Sequence, residues 1–367
     1  MSKAAELAAL IGSQTALSNR NMIINGAMQV AQRGTSVTGV TGDGYHALDR
    51  FKTAISSAGT FTLSQAADGP SGFSTCHKFD CTTAKSSLDA GNYILFFQTI
   101  EAQHLQSLGF GASGAKSITL SFYVKSNKTG TYIAELALGD ATNASNNSQA
   151  YTINSANTWE RKTLTYAAQT VDVINNDNGE GMNIFFWLGA GSQWSSGTLN
   201  PNVWANTTSA NRAVGQVNLA DSTSNEWSIT GVQLELGEQA TPFEHRSFGD
   251  ELLACQRYYE HTYPYGTAPG TANGGIGADH RYVGRETASN YGYYTAHYRV
   301  EKRAAATVTV YSYVGTANQI ANGDTGGDSG AVGVIQNGTT SFLPRNTSGS
   351  GVSARALMYH FKADAEL

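Results

Sequence analysis

The stretch Lys116–Ser126, KSITLSFYVKS, constrains the fold of this chain more than any other. Ile118, Leu120, Phe122 and Val124 point one way, while Ser117, Thr119, Ser121, Tyr123 and Lys125 point the other. Strict alternation of this kind marks a half-buried antiparallel strand. The turn-rich residues Ser126–Gly130 follow, and then Thr131–Leu138 alternates again. Two such runs joined by a short turn predict a hairpin. Further strand-like runs occur at Thr60–Ser64, Thr75–Thr82, Asn92–Ile100, Thr158–Thr165, Met182–Leu188 and Trp227–Leu236. Many short strands, long polar loops and no helical interludes predict an all-β fold, a jelly-roll β-sandwich.

Composition agrees. The chain has 367 residues, 40 Gly, only 6 Pro and 14% charged residues. That mixture favours β-structure with polar loops, and the length allows two domains. A formal net charge of −5 argues against nucleic acid as a partner, which needs a concentrated basic patch. The densest basic run, Arg299–Arg303, carries its own acid at Glu301. With 3 Cys there is no disulfide framework. Cys76 and Cys81 fall on opposite faces of one strand, and Cys255 reads as a small buried hydrophobe. The apolar residues after Lys3 are broken by Glu6 and stop at Ile11, too short for a signal sequence or membrane span. Maturation in a reducing cytoplasm and no membrane insertion are expected.

The stretch Glu226–Tyr259 marks a boundary. Trp227, Ile229, Val232, Leu234 and Leu236 give a strand whose phase slips at Gly231. Thr241-Pro242-Phe243 then imposes an extended turn. Leu252, Leu253, Gln256 and Tyr259 recur at helical spacing. The chain is therefore expected to comprise a short helix at 1–19, a jelly-roll at 20–247, a linker helix at 248–260 and a second small β-domain at 261–367. In the last, Thr307–Tyr313, Val332–Gln336 and Ala354–Lys362 read as strands, with the Gly-rich 321–331 as a loop between them. The first helix carries Leu7, Leu10, Ile11 and Leu17 along one side, and is too short to be stable alone in water. It is expected to dock on a neighbour or in a three-chain bundle.

Motifs for chemistry are few. Gly327-Asp328-Ser329-Gly330 matches the word around a serine-protease nucleophile, but the flanking words for a His and an Asp upstream are missing. Asp324 and Asp328 lack the spacing of a calcium loop. The 8 His show no metal-ligand spacing. No catalytic residue, metal or cofactor is assigned. The candidate ligand-binding residues are aromatic: Trp194 and Trp204 in the aperiodic segment 191–212, and Tyr291, Tyr293 and Tyr294 in the second domain. Indole and phenol faces stack on sugar rings; the alternative is that these rings cap the core or fill a subunit interface.

The words of the chain also resemble a family. QLELG, ATPFEHRSFGDEL and CQRYY within 233–259, NMIINGAMQVAQRG at 21–34, YHALDRF at 45–51 and the terminal ADAEL are similar to segments of tail-fibre and related virion proteins of tailed bacteriophages. The resemblance implies a jelly-roll like that of carbohydrate-binding modules and a homotrimer, with the first helix attached to other virion proteins. It implies a component of the phage particle, assembled in the host cytoplasm. With the aromatic loops and the missing catalytic motifs, the expectation is a non-catalytic tail fibre or adhesin attaching to host surface polysaccharide. The alternatives are a capsid head fibre, decoration protein or adaptor that binds only virion proteins, and, behind them, a glycan depolymerase.

Overall fold

The structure is a computed structural model that describes residues 20–140, 144–272, 281–282, 295–322, 327–346 and 357–367. The helix expected at 1–19 lies outside the described residues. The chain divides into two compact units. One holds the residues up to Gln29, Thr35–Ser247 and Leu367; the other holds Val30–Gly34 with Phe248–Glu366.

The first unit is a jelly-roll sandwich. Its strands are β1 (Ser36–Val40), β2 (Gly44–Tyr45), β3 (Lys52–Ser56), β4 (Thr60–Ala66), β5 (Cys76–Thr83), β6 (Tyr93–Glu101), β7 (Ile118–Ser126), β8 (Gly130–Leu138), β9 (Ser145–Ile153), β10 (Glu160–Tyr166), β11 (Glu180–Ala190), β12 (Ala205–Asn206) and β13 (Glu226–Leu236). Six of them form one sheet in the order β1-β4-β5-β13-β7-β10, and seven form the other in the order β12-β9-β8-β11-β6-β3-β2. The inner faces meet in an aromatic core, where Trp227 lies 5.8 Å from Phe79 and 5.9 Å from Phe96, ring centre to ring centre. Each ring removed from water there contributes about 2–3 kcal/mol.

The expected hairpin of β7 and β8 does not form. β7 pairs with β10 and β13 in the six-stranded sheet, whereas β8 pairs with β9 and β11 in the seven-stranded one. Alternation shows that each strand has one apolar face, and that condition is met equally by strands side by side or face to face. Here Phe122 and Leu120 on β7 and Tyr132, Ala134 and Leu136 on β8 are all fully buried, in opposite walls of the sandwich.

The phase slip in β13 is a bulge. Its register with β7 shifts between Thr230 and Gln233, and Gly231 sits there at φ +62°. Beyond it the chain folds back over the outer face of the six-stranded sheet. Thr241 donates to Glu235 through both its backbone N–H (2.9 Å) and its hydroxyl (2.7 Å), and the Glu244 N–H donates to Gln233 (2.8 Å). The residues 21–26 join the same layer, with Met22 N–H donating to the Leu234 carbonyl and Leu234 N–H donating to the Asn21 side chain. Two sequence-distant family-like words are thus hydrogen-bonded to each other. This cover explains why Thr119 and Ser121, on the polar side of β7, are buried as well.

In the second unit the strands are β14 (Tyr259–His261), β15 (Arg281–Tyr282), β16 (Ala296–His297), β17 (Thr307–Ser312), β18 (Gln319–Asn322), β19 (Asp328–Ile335), β20 (Ser341–Asn346) and β21 (Leu357–Asp364). They make an 8-stranded sheet in which β21 is the hub, pairing with β14, β15, β17 and β18. Phe361, Ala363, Val310, Ile320 and Phe342 fill its core. The glycine-rich segment expected to be a loop is partly strand: β18 and β19 pair antiparallel, Gln319 opposite Ala331. Backbone hydrogen bonds build that pair, so it leaves no side-chain alternation to read. The helix Phe248–Gln256 belongs to this unit, as does Val30–Gly34, where Arg33 lies 3.6 Å from the Tyr259 ring centre. Cys76, Cys81 and Cys255 are all buried, and none is in a disulfide. No helix among the described residues is long and apolar enough to cross a membrane.

Candidate functional site

The outer face of the seven-stranded sheet gathers the most varied chemistry in the first unit. Strand register sets its rows. Tyr45, Lys52, Phe97, Phe185, Glu135 and Ser148 stand opposite one another across β2, β3, β6, β11, β8 and β9. Residues opposite in register share a face, so this row spans the sheet. The next row carries Ala54, Leu95, Trp187, Ile133 and Ala150.

After β11 the chain turns through a single helical turn, Ser192–Ser195, and folds back on that face. Trp194, Leu199 and Ala213 pack on Leu95, Ile133 and Trp187. Arg212 is the polar member of this return. Its Nε donates to Glu135 Oε1 at 2.8 Å, and Trp187 Nε1 donates to Glu135 Oε2 at 2.7 Å. Burial pushes the Glu135 carboxyl above the ordinary range, and the Arg212 charge and hydrogen bonds from Arg212, Trp187 and Asn146 pull it back only in part. The Arg212 guanidinium carbon lies 5.4 Å from the Phe185 ring centre, 5.2 Å from Trp187 and 5.7 Å from Trp194. Along the same row, Lys52 Nζ lies 5.7 Å from the Tyr45 ring and 5.8 Å from Phe97. The Phe97 and Phe185 rings are 4.9 Å apart. Two cations therefore stand over adjacent rings of one aromatic row.

Beside Ser148 the face dips into a shallow cleft of about 30 Å³. Its walls are the carboxamides of Asn146, Asn200, Asn206 and Asn211, the hydroxyls of Ser148 and Thr208, and the aliphatic Val203 and Ala205. Asn146 and Ser148 come from β9; the rest come from the returning segment and β12. That segment is tied down by Trp204, whose indole N–H donates to the Ala167 carbonyl at 2.7 Å and whose ring meets Phe110 edge-on at 5.6 Å. Asn211 accepts from the Thr198 N–H at 2.9 Å. Neutral amides and hydroxyls in such a lining donate to and accept from the hydroxyls of a sugar. The volume corresponds to a very few waters, so the cleft has room for the edge of a small ring and not for a buried ring.

The structure does not bring Trp194 and Trp204 together as one platform. Trp194 is half-buried against Tyr93 and Trp187, at 5.7 and 5.9 Å; Trp204 is half-buried against Phe110. Both hold the segment whose intervening residues, Asn200 and Val203, line the cleft. Tyr291, Tyr293 and Tyr294 lie outside the described residues. Sequence reasoning missed Lys52, Phe185, Arg212, Asn146, Ser148 and Asn206, which only strand register and the return of the segment assemble. The sole sequence signal was the length of 191–212 without periodicity, which marks a built loop. Among the described residues, no group of three or more His, Cys, Asp or Glu could hold a metal ion.

No family model matches the sequence, and no curated protein does. Solved structures similar to it include the enzymatically active domain of bacteriophage CBA120 tailspike protein 4, with 17% identity over 59% of this chain and TM-score 0.31. The aligned part is 21% of that tailspike chain. A putative sugar-binding protein from Bacteroides thetaiotaomicron aligns at 13% identity, over 59% of this chain and 99% of its own, with TM-score 0.32. A xylan-binding domain from Paenibacillus barcinonensis aligns at 8% identity, over 60% and 96% of the two chains, with TM-score 0.27.

Proposed function

We propose that this chain is a structural protein of a tailed-phage particle, a trimeric tail fibre or adhesin that attaches to surface glycans without catalysis. The observation that carries the binding is the cleft beside Ser148, walled by four carboxamides and two hydroxyls and held open by the Trp204 anchor. Such a lining exchanges water hydrogen bonds for sugar hydrogen bonds at little net cost, while Val203 and Ala205 offer small apolar faces. A site this shallow binds weakly, with a single-site dissociation constant on the order of millimolar, and three linked copies convert weak binding to firm attachment. The virion assignment is supported by the family-like words at 21–34 and 233–259, which meet in the fold through Asn21 and Leu234. Attachment to other virion proteins through residues 1–19 belongs to the same proposal.

A glycan array probed with the full-length protein tests the binding. Retention on a defined set of glycans, lost in Ala205→Trp, supports it, because Ala205 is exposed and lines the cleft. An array with no bound glycan, together with antibody labelling of capsids and not tail tips, would transfer the chain to a head-fibre or decoration role.

A further inference from the structure

We propose that the sugar taken by this face is acidic, its carboxylate received by Arg212 and Lys52; this rests on the glycan-binding function above. The two cations lie in one row, over the adjacent rings of Phe185 and Phe97. Only one acid, Glu135, faces them from that row, and it is fully enclosed and engaged with Arg212 Nε and Trp187 Nε1. Among the described residues no hydrogen bond or ion pair engages Arg212 Nη1 or Nη2, and none engages Lys52 Nζ.

Within the row the balance is therefore one positive charge beyond neutrality, on a chain whose formal net charge is −5. Off the row, Asp43 is a further acid, accepting from the Ile55 N–H at 3.2 Å and acting on Tyr93. An overall negative protein repels a polyanion, so an acidic ligand finds its favourable contact where cations outnumber acids, as they do along this row. Glu135 fixes the guanidinium from behind, and Phe185, Trp187 and Trp194 flank it. Its planar edge is thus preorganised for the two oxygens of a carboxylate, the geometry in which Arg is strongest. The surrounding rings lower the local dielectric, which strengthens the contact further. Lys52 supplies a second point charge along the row. The neutral cleft beside Ser148 then takes the hydroxyls of the next sugar unit. A uronic-acid polymer, with a ring carboxylate and neutral hydroxyl edges, has both parts.

Affinity electrophoresis of the full-length protein tests this, using polygalacturonate, alginate and hyaluronan, each beside its carboxyl-reduced counterpart, with dextran sulfate as a control for charge alone. At least one acidic polymer is expected to retard the protein, and its reduced counterpart to bind about tenfold more weakly, the scale of a charge-assisted contact. Arg212→Gln alone leaves Glu135 enclosed without its cation, so the informative variants are the neutral pair Arg212→Gln with Glu135→Gln and, separately, the half-exposed Lys52→Gln. Both are expected to lose the preference for the acidic polymer. Equal retention by acidic and reduced polymers, or an unchanged preference in both variants, overturns the acidic assignment and leaves glycan binding standing. Retardation by dextran sulfate equal to that by the uronate polymers overturns it in favour of unspecific charge. Retention by no polymer, acidic or reduced, contradicts both.

Discussion

Glu135 Oε1 accepts from Arg212 Nε at 2.8 Å, and this one contact joins the middle of a buried strand to the end of the segment that walls the cleft. The Glu135 side chain is fully buried, and that of Arg212 is 17% exposed. Removing only the cation strands a carboxylate in an apolar setting. Arg212→Met is therefore expected to destabilise the sandwich by about 3 kcal/mol, and Arg212→Met with Glu135→Leu to recover most of that loss. Urea unfolding followed by tryptophan fluorescence measures both, since the 5 Trp (159, 187, 194, 204 and 227) all lie in the first unit.

Gly231 is expected to resist any side chain. It sits at φ +62°, and a Cβ there would come 2.7 Å from Phe73 Cζ and 3.0 Å from Tyr123 Cδ2. Phe73 is itself hemmed in by Phe243 and His245 at 5.0 and 5.1 Å. Gly231→Ala should cost about 1–3 kcal/mol from left-handed strain and displaced rings. Phe73→Ala in the same chain should relieve the Phe73 clash and leave the Tyr123 contact and the left-handed strain, a difference that a double-mutant cycle resolves.

A second buried ion pair lies in the other unit. Lys302 Nζ donates to Glu260 at 2.7 Å and also to the Gln256 carbonyl, and both side chains are almost fully buried. Burial lowers the Lys302 pKa, with the Glu260 charge opposing that shift. Lys302→Met should destabilise this unit by about 3–5 kcal/mol because Glu260 is left enclosed and charged. Lys302→Met with Glu260→Leu should be far milder, as read by thermal unfolding in circular dichroism.

His77 gives the sandwich a pH dependence. It stacks on Phe96 at 4.8 Å inside the core, and burial, with a lesser contribution from His46, pushes its pKa from 6.5 down to about 3. The unfolded chain therefore binds a proton that the folded one refuses. The stability present above about pH 6.5 is lost as the pH falls towards about 3, at roughly 1.4 kcal/mol per unit at most. Asp68 and Glu160 have lowered carboxyl pKa values and contribute only further down, and the raised Glu135 carboxyl acts with the opposite sign. His261, also lowered by burial, belongs to the other unit, so the difference between the native protein and His77→Gln is the share of His77. Tryptophan-monitored unfolding across that window should steepen for the native protein and flatten for His77→Gln.

Much of the scaffold was legible because β-strands with one apolar face write it in alternation. The run expected at Thr131–Leu138 is strand β8 with one residue more, Gly130, and the phase slip at Gly231 proved to be a bulge. Sheet membership was not legible, since β7 and β8 alternate alike whether they lie side by side or face to face. Strand β9, SNNSQAYTI, was invisible for a different reason: its buried residues Ser145, Asn146, Asn147 and Ser148 are polar, and Tyr151 and Ile153 alone are too short an apolar alternation to read. Part of the cleft stands on that strand. Lys52 and Arg212 are ordinary surface residues in sequence, and come to stand over adjacent rings, Phe97 and Phe185, only through the pairing of β3, β6 and β11 and the return of the segment after β11.

The most direct test of glycan attachment is equilibrium binding of the full-length protein to polysaccharide purified from the host surface, with reducing ends counted in the same samples. Saturable binding that Ala205→Trp abolishes, with no rise in reducing ends, is the predicted result. Undiminished binding by Ala205→Trp, or a time-dependent release of reducing ends, would contradict it.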